Sequence, residues 1–311
     1  MRDGASPPTD RGVALPFKEP FNATALLASL AAHAVPGVET VDGPAGDHSR
    51  AVRTPSGVTV VTLSFRPGFV TVVADPPVTD TEWLEEVVRR WFDLDADPAA
   101  VDAALGADPR VGPLVSARPG LRVIGYADAF EGAIMTVIGQ QVSLAATRTF
   151  GARLVRAFGT PVRDGFGAYP TAHDLASLAP EEVRADVGLT SARAATVVRL
   201  AAAFADGLTL EPGPDAASTR AALLALPGIG PWTVDYLNVR ALGDRDGYVP
   251  GDLVLRRALG VASANEAVAL AEPWRPYRAY ALYHLWTNEA YVADARGTTA
   301  IREHDAGGPD A

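Results

Sequence analysis

The stretch from Leu223 to Leu255 concentrates the residue types best suited to chemistry. Pro227-Gly-Ile-Gly230 separates two apolar-periodic segments, and Pro231 stands where a new helix would begin. A turn of this composition needs residues free to take positive φ, and the helix it opens leaves its first N–H groups without internal partners. Those donors and the positive end of the helix dipole converge on one point, where a phosphate oxygen could bind without a lysine. An ordinary turn between helices is the alternative, but the pattern Leu-x-x-Leu-Pro-Gly-Ile-Gly-x-Trp-Thr favours the phosphate-facing one. Asp252 comes 22 residues after Gly230, in Pro-Gly-Asp ahead of another apolar-periodic run, at or beside a helix N-cap. An anion fixed there could stabilise positive charge developing at a sugar carbon, as when an N-glycosidic bond breaks, or orient the attacking water. Taken alone, Asp252 reads first as a structural cap. Its place downstream of the hairpin is what points to chemistry.

The elements that must position these residues are mostly helices. Ser218 is expected to cap the first helix of the hairpin, and Trp232 and Tyr236 fall at i and i+4, on one face of the second. Upstream, Asp128-Ala-Phe-Glu131 has capping-box spacing and opens a helix through Ile138, with a break expected at Gly139. Thr171-Ala-His-Asp174 has the same spacing, and Ser191 to Ala205 reads as a helix with Arg193 and Arg199 on polar positions, ended by Gly207. Before residue 116 the signals differ. Helices are expected over 21–34 and 80–92, and between them alternating β-branched runs at 38–41, 48–54, 58–65 and 69–74 read as antiparallel strands. The fold class is therefore mainly α with an N-terminal α+β domain. Residues 15–116 form that domain, 117–300 are all helical, and the tails 1–14 and 301–311 are expected to be disordered.

Composition narrows the chemistry. No cysteine is present, which removes disulfides and thiolate-bound zinc or iron–sulfur sites. No apolar stretch suggests a membrane span, so a cytoplasmic protein with no membrane partner is expected. The net charge of -10 argues against a nucleic-acid partner until its distribution is considered. Residues 1–117 carry 9 basic and 16 acidic side chains, residues 118–300 carry 17 and 18, and every base in the second stretch is arginine. Arginine forks onto phosphate oxygens, although a genome that favours arginine codons would produce the same bias. Lys18 is the chain's single lysine.

Five ordered blocks make the chain resemble a known family. They are Ala-Arg-Pro-Gly-Leu-Arg (117–122), Ile-Gly-Gln-Gln-Val-Ser (138–143), Leu-Pro-Gly-Ile-Gly-Pro-Trp-Thr (226–233), Val-Pro-Gly-Asp (249–252) and Trp-Arg-Pro-Tyr-Arg-Ala-Tyr-Ala-Leu-Tyr-His-Leu-Trp (274–286). With these, residues 17–300 resemble the helix-hairpin-helix DNA glycosylase superfamily and, within it, the 3-methyladenine DNA glycosylase II (AlkA-type) group. The resemblance implies excision of alkylated purines (3-methyladenine and 7-methylguanine) from double-stranded DNA by base flipping, with the deaminated purine hypoxanthine as a further candidate substrate. It makes Asp252 the catalytic residue, places Gly228 and Gly230 at a phosphate contact, and lines a base pocket with Trp232, Tyr236 and Trp286, rings that would otherwise read as core. It puts the intercalating wedge at Gln141, where the best-known members have leucine, and Leu253 where some relatives carry an aromatic. Bifunctional members have a Schiff-base lysine at the position of Trp232, so a monofunctional, hydrolytic enzyme without lyase activity is implied. No cofactor is implied beyond a monovalent cation on the carbonyls of Leu224, Leu226 and Ile229. A monomer without an obligate protein partner is expected, and His284 reads as a packing residue. A non-catalytic DNA-binding hairpin protein, or a glycosylase for another damaged base, is the alternative.

Overall fold

The computed structural model describes residues 12–211, 213 and 216–290. Its first part is a five-stranded antiparallel sheet with helices against it. The strands are β1 (Val13–Pro16), β2 (Glu39–Asp42), β3 (Asp47–Thr54), β4 (Gly57–Arg66) and β5 (Phe69–Asp75), in the order β1-β5-β4-β3-β2. Leu63 opposes Val72 and Phe65 opposes Val70, so alternation places these four apolar side chains on one buried face. Helix α1 (Ala23–His33), capped by Asn22, and α2 (Thr81–Trp91), capped by Asp80, lay Leu26, Leu30, Val87 and Trp91 into the same core. Both helices and four strands match the sequence reading. Three elements of this part do not: β1, which begins inside the tail expected to lack structure, and α3 (Pro98–Gly106) and α4 (Gly112–Ala117). Strand β1 is too short to show periodicity alone and owes its form to pairing with β5. Most of the expected N-terminal tail and all of the C-terminal one lie outside the described residues.

The helical part comprises α5 (Ala129–Ile138), α6 (Leu144–Phe158), α7 (Ala172–Ala176), α8 (Pro180–Val187), α9 (Ser191–Ala205), α10 (Ala216–Leu224), α11 (Pro231–Arg240), α12 (Leu253–Leu259), α13 (Ala264–Ala271) and α14 (Arg278–Ala290). It is not wholly helical. Two-residue strands β6 (Thr160–Pro161) and β7 (Gly167–Ala168) pair after α6. Gly139 ends α5 as expected, and Thr171 with Asp174 forms a reciprocal capping box. Two expected caps differ. Ser218 lies inside α10, and Glu131 leaves Asp128 to cap α5 alone, its own carboxylate pairing with Arg50 of β3.

The boundary drawn at residue 116 separates strands from helices but does not separate the cores. One core joins the sheet and α1–α4 to Leu255 of α12, Ala267 of α13 and Tyr280 and Leu285 of α14. The other is built from α5–α11. Helix α11 belongs to both: Val234 and Leu237 are buried in the second core, while Trp232, Tyr236 and Val239, on the i, i+4, i+7 face, pack against the first. Among the described residues, no single helix is long and apolar enough to cross a membrane.

Candidate active site

The hairpin runs from α10 through Pro227–Gly230 into α11. Gly228 has φ +94°, and a Cβ there would collide with the Thr196 side chain of α9, so glycine is required twice over. Gly230 is different. Its φ is -104°, and as N-cap of α11 it offers no side-chain acceptor, so the first N–H groups of that helix stay available to an outside anion. The turn is held from α9, where Thr196 Oγ1 and Arg199 Nη1 approach the Pro227 carbonyl at 3.4 and 3.5 Å.

A second loop meets this hairpin. Between α5 and α6, Gln140 Nε2 donates to Gly228 O (3.2 Å) and Thr233 Oγ1 (2.9 Å), and its own carbonyl accepts from Arg193. The next residue, Gln141, is exposed and has φ +55°, an uncommon conformation for a residue with a Cβ. The loop therefore presents Gln141 from a base fastened to the hairpin. Sequence reasoning singled out Gln141 but not the tether at Gln140; the paired glutamines were visible, but the anchoring of the first depends on long-range contacts.

Asp252 is the N-cap of α12, with 9% of its surface exposed. Oδ1 accepts from the Leu255 N–H (2.8 Å) and from Trp286 Nε1 (3.0 Å), and Oδ2 accepts from Trp232 Nε1 (3.0 Å). Three of the roughly four lone-pair positions of the carboxylate are thus occupied. The aromatic residues singled out from sequence do meet, and they meet on Asp252. Trp232 stacks on Tyr236 (centroids 5.2 Å apart, planes at 23°), Tyr236 adjoins Trp286 (5.5 Å), and Trp286 adjoins Tyr283 (5.6 Å). The rings form one continuous wall, with the two indole N–H groups directed at the carboxylate. Directly after Asp252, Leu253 is 64% exposed.

This wall borders a cavity of about 410 Å³. Its other side comes partly from the α+β part, through His33, Arg50 and Trp91, and partly from Tyr126 and Glu131. Arg240, four residues beyond Tyr236, donates to the Tyr236 hydroxyl (2.9 Å) and lies over the Tyr126 ring at 4.7 Å. Burial, reinforced by the Arg240 charge, pushes the His33 imidazole down to about 4, and its Nδ1 lies 2.8 Å from Ser29 O. Burial pushes Glu131 up to about 7 against the opposing pull of Arg50. None of these polar residues was anticipated. Capping-box spacing predicts a cap at Glu131, whereas Arg240 stands at i+4 from Tyr236, a spacing that places it beside that ring. His284 is fully buried and burial pushes it down to about 4, in keeping with a packing role. Lys18 pairs with Asp97 (3.0 Å). Among the described residues no group of three or more metal-ligating side chains gathers.

Residues 12–128 match the AlkA N-terminal domain, and residues 134–272 match the HhH-GPD superfamily base excision DNA repair protein family. The chain is 40% identical over 284 residues to the probable bifunctional transcriptional activator/DNA repair enzyme AlkA of Mycobacterium tuberculosis, covering 88% of this chain and 56% of that protein. It thus spans little more than half the length of that relative. It is 32% identical over 285 residues to DNA-3-methyladenine glycosylase 2 of Escherichia coli, covering 90% of this chain and 98% of that one. In fold it is similar to a 3-methyladenine DNA glycosylase from Archaeoglobus fulgidus, with a TM-score of 0.76 at 20% identity over 89% of this chain and 98% of that one. The mainly α fold with its leading α+β part is the arrangement expected from sequence, and the chain belongs to the HhH-GPD superfamily of base excision DNA repair proteins, with an AlkA N-terminal domain in front.

Proposed function

We propose that this chain hydrolyses the N-glycosidic bond of alkylated purines in duplex DNA, releasing 3-methyladenine and 7-methylguanine and also hypoxanthine, as a cytoplasmic monomer. Asp252, held by three N–H donors, two of them from indoles of the aromatic wall that lines the cavity, carries this reading. Two relatives named for 3-methyladenine excision point the same way. A base leaves the duplex and meets the wall of Trp232, Tyr236 and Trp286, on which an alkylated, cationic purine stacks more strongly than a neutral one. As the bond lengthens, positive charge spreads over the sugar, and the Asp252 carboxylate opposes it in the transition state. The indole donors fix the carboxylate's rotamer, so little reorganisation accompanies the reaction. Gln141 fills the gap in the stack and offers an amide to the orphaned base. The N–H groups of Gly228 and Gly230, with those of the first turn of α11 after Pro231, take the DNA phosphate. A monovalent cation at this turn would use the carbonyls of Leu224, Leu226 and Ile229; that of Leu226 already accepts the Ile229 N–H at 3.0 Å and keeps a second lone pair.

Water is the nucleophile in this proposal, because Trp232 stands where a Schiff-base lysine would and Lys18 is engaged with Asp97. Borohydride added during turnover is expected to trap no covalent protein–DNA adduct. Asp252→Asn sets an amide NH2 against at least one donor, either an indole or the Leu255 N–H, and removes the charge. That variant is expected to bind abasic duplex but release no base. Release of 3-methyladenine by it at the wild-type rate sinks the proposal.

A further inference from the structure

The cavity wall contains an ion pair that the excision chemistry does not use. Glu131 leaves the N-terminus of its own helix, where Asp128 accepts the N–H groups of Phe130 and Glu131, and crosses to Arg50 on the sheet. Both side chains are about nine-tenths buried. A buried pair is costly to desolvate, and apolar residues of similar volume usually hold a fold equally well. A tie between the two parts of the molecule therefore does not by itself explain why charges were placed here.

The pair is also only half satisfied. Glu131 Oε2 accepts from Arg50 Nη2, and Arg50 Nε donates to Ala51 O at 3.1 Å. Among the described residues, Glu131 Oε1 and Arg50 Nη1 take part in no hydrogen bond, and neither is sealed off as a buried orphan. Both residues line the same cavity as the aromatic wall. The cavity thus offers an acceptor beside a donor on a rigid frame, since the Arg50 guanidinium also lies over the Trp91 ring at 5.4 Å.

Resting on the base-excision reading above, we infer that Glu131 and Arg50 are specificity-determining residues that read the C6 edge of the flipped purine. A donor there, N6–H of an adenine or N1–H of hypoxanthine, goes to Glu131. The neighbouring acceptor, N7 or O6, goes to Arg50. A base without that donor leaves a buried carboxylate oxygen unmatched, the situation in which pockets discriminate most sharply.

The experiment uses the unmodified protein and three duplexes, carrying 3-methyladenine, hypoxanthine or unsubstituted purine, which has neither an exocyclic group nor an N1–H. Each release rate is divided by the spontaneous loss of that base. The normalised rate for hypoxanthine should exceed that for purine at least about tenfold, and in Glu131→Gln, which keeps the side chain's shape, this ratio should fall towards one. Equal normalised rates in the wild type overturn the inference without reference to any variant, and so does a ratio preserved in a folded Glu131→Gln protein. Release of none of the three bases would instead defeat the base-excision reading, a different outcome.

Discussion

At the scale of single residues, the carboxylate of Asp252 is defined by its donors. Trp232 and Trp286 each give it one N–H at 3.0 Å in a mostly buried setting. A hydrogen bond to a charged group in such a setting contributes about 1.5–3 kcal/mol. Trp286→Phe, which keeps a ring and removes the donor, should therefore slow base release roughly ten- to a hundredfold. Single-turnover rates with hypoxanthine, the less labile base, measure this, and an unchanged rate would show that the indoles serve the wall alone. Trp232→Phe should behave alike, and the double variant should lose more than the sum, because in each single variant the remaining indole bond still orients the carboxylate. Sequence placed Asp252 at a helix N-cap and set Trp232 and Tyr236 on one face, because both depend on local spacing. The directions of the indole N–H groups were out of reach. They depend on α14 returning beside α11, with Asp252 and Trp286 34 positions apart.

At the scale of elements, the hairpin is set by what it touches on α9. Gly228 combines φ +94° with direct contact to Thr196. Gly228→Ala should lower stability by more than about 1 kcal/mol and weaken binding to abasic duplex. Adding Thr196→Ala removes both the hydroxyl and the methyl that the new Cβ would meet and should return part of the lost melting temperature, but not the share due to φ. Full recovery would mean that crowding alone dictates glycine here. The glycine-rich turn and the proline at the start of α11 were legible because backbone conformation restricts residue type so strongly. Gly230 was over-read, since at φ -104° its freedom is not used. The caps at Ser218 and Glu131 were misplaced for a related reason: spacing suggests a cap, but a side chain that can reach Arg50 across a core follows the charge.

For the whole molecule, titratable groups held in or beside the cores set the response to acid. His33 and His284 are held down to about 4 from an ordinary 6.5, so the folded state keeps them neutral while the unfolded chain takes up protons first. Their contribution is complete above about pH 6.5 and is lost as pH falls towards 4. Glu131 acts in the opposite sense. With its folded value raised from 4.5 to about 7, it disfavours the fold as pH rises across that interval. The loss from the two histidines should exceed the gain from Glu131 and from Asp93, Asp102 and Asp235, whose carboxyls burial also raises, so the melting temperature should drop on acidification from pH 6.5 to 4.5. His284→Gln should flatten that drop, and an identical slope in the variant would show that His284 does not titrate on unfolding. None of this was readable beforehand. Strand alternation and helix caps exposed the α+β part and the order of helices, but the joining of α12–α14 to the first core is made by contacts between distant segments, which periodicity does not encode.

Helix α11 has no surface of its own to rest on, because one face belongs to each core. The candidate active site is therefore a seam. Substitutions far from Asp252, in either body, can misalign the aromatic wall by a fraction of a bond length while leaving both bodies folded. Loss of turnover would then come before any spectroscopic sign of melting, and heat inactivation and unfolding would describe two separate events in the same protein.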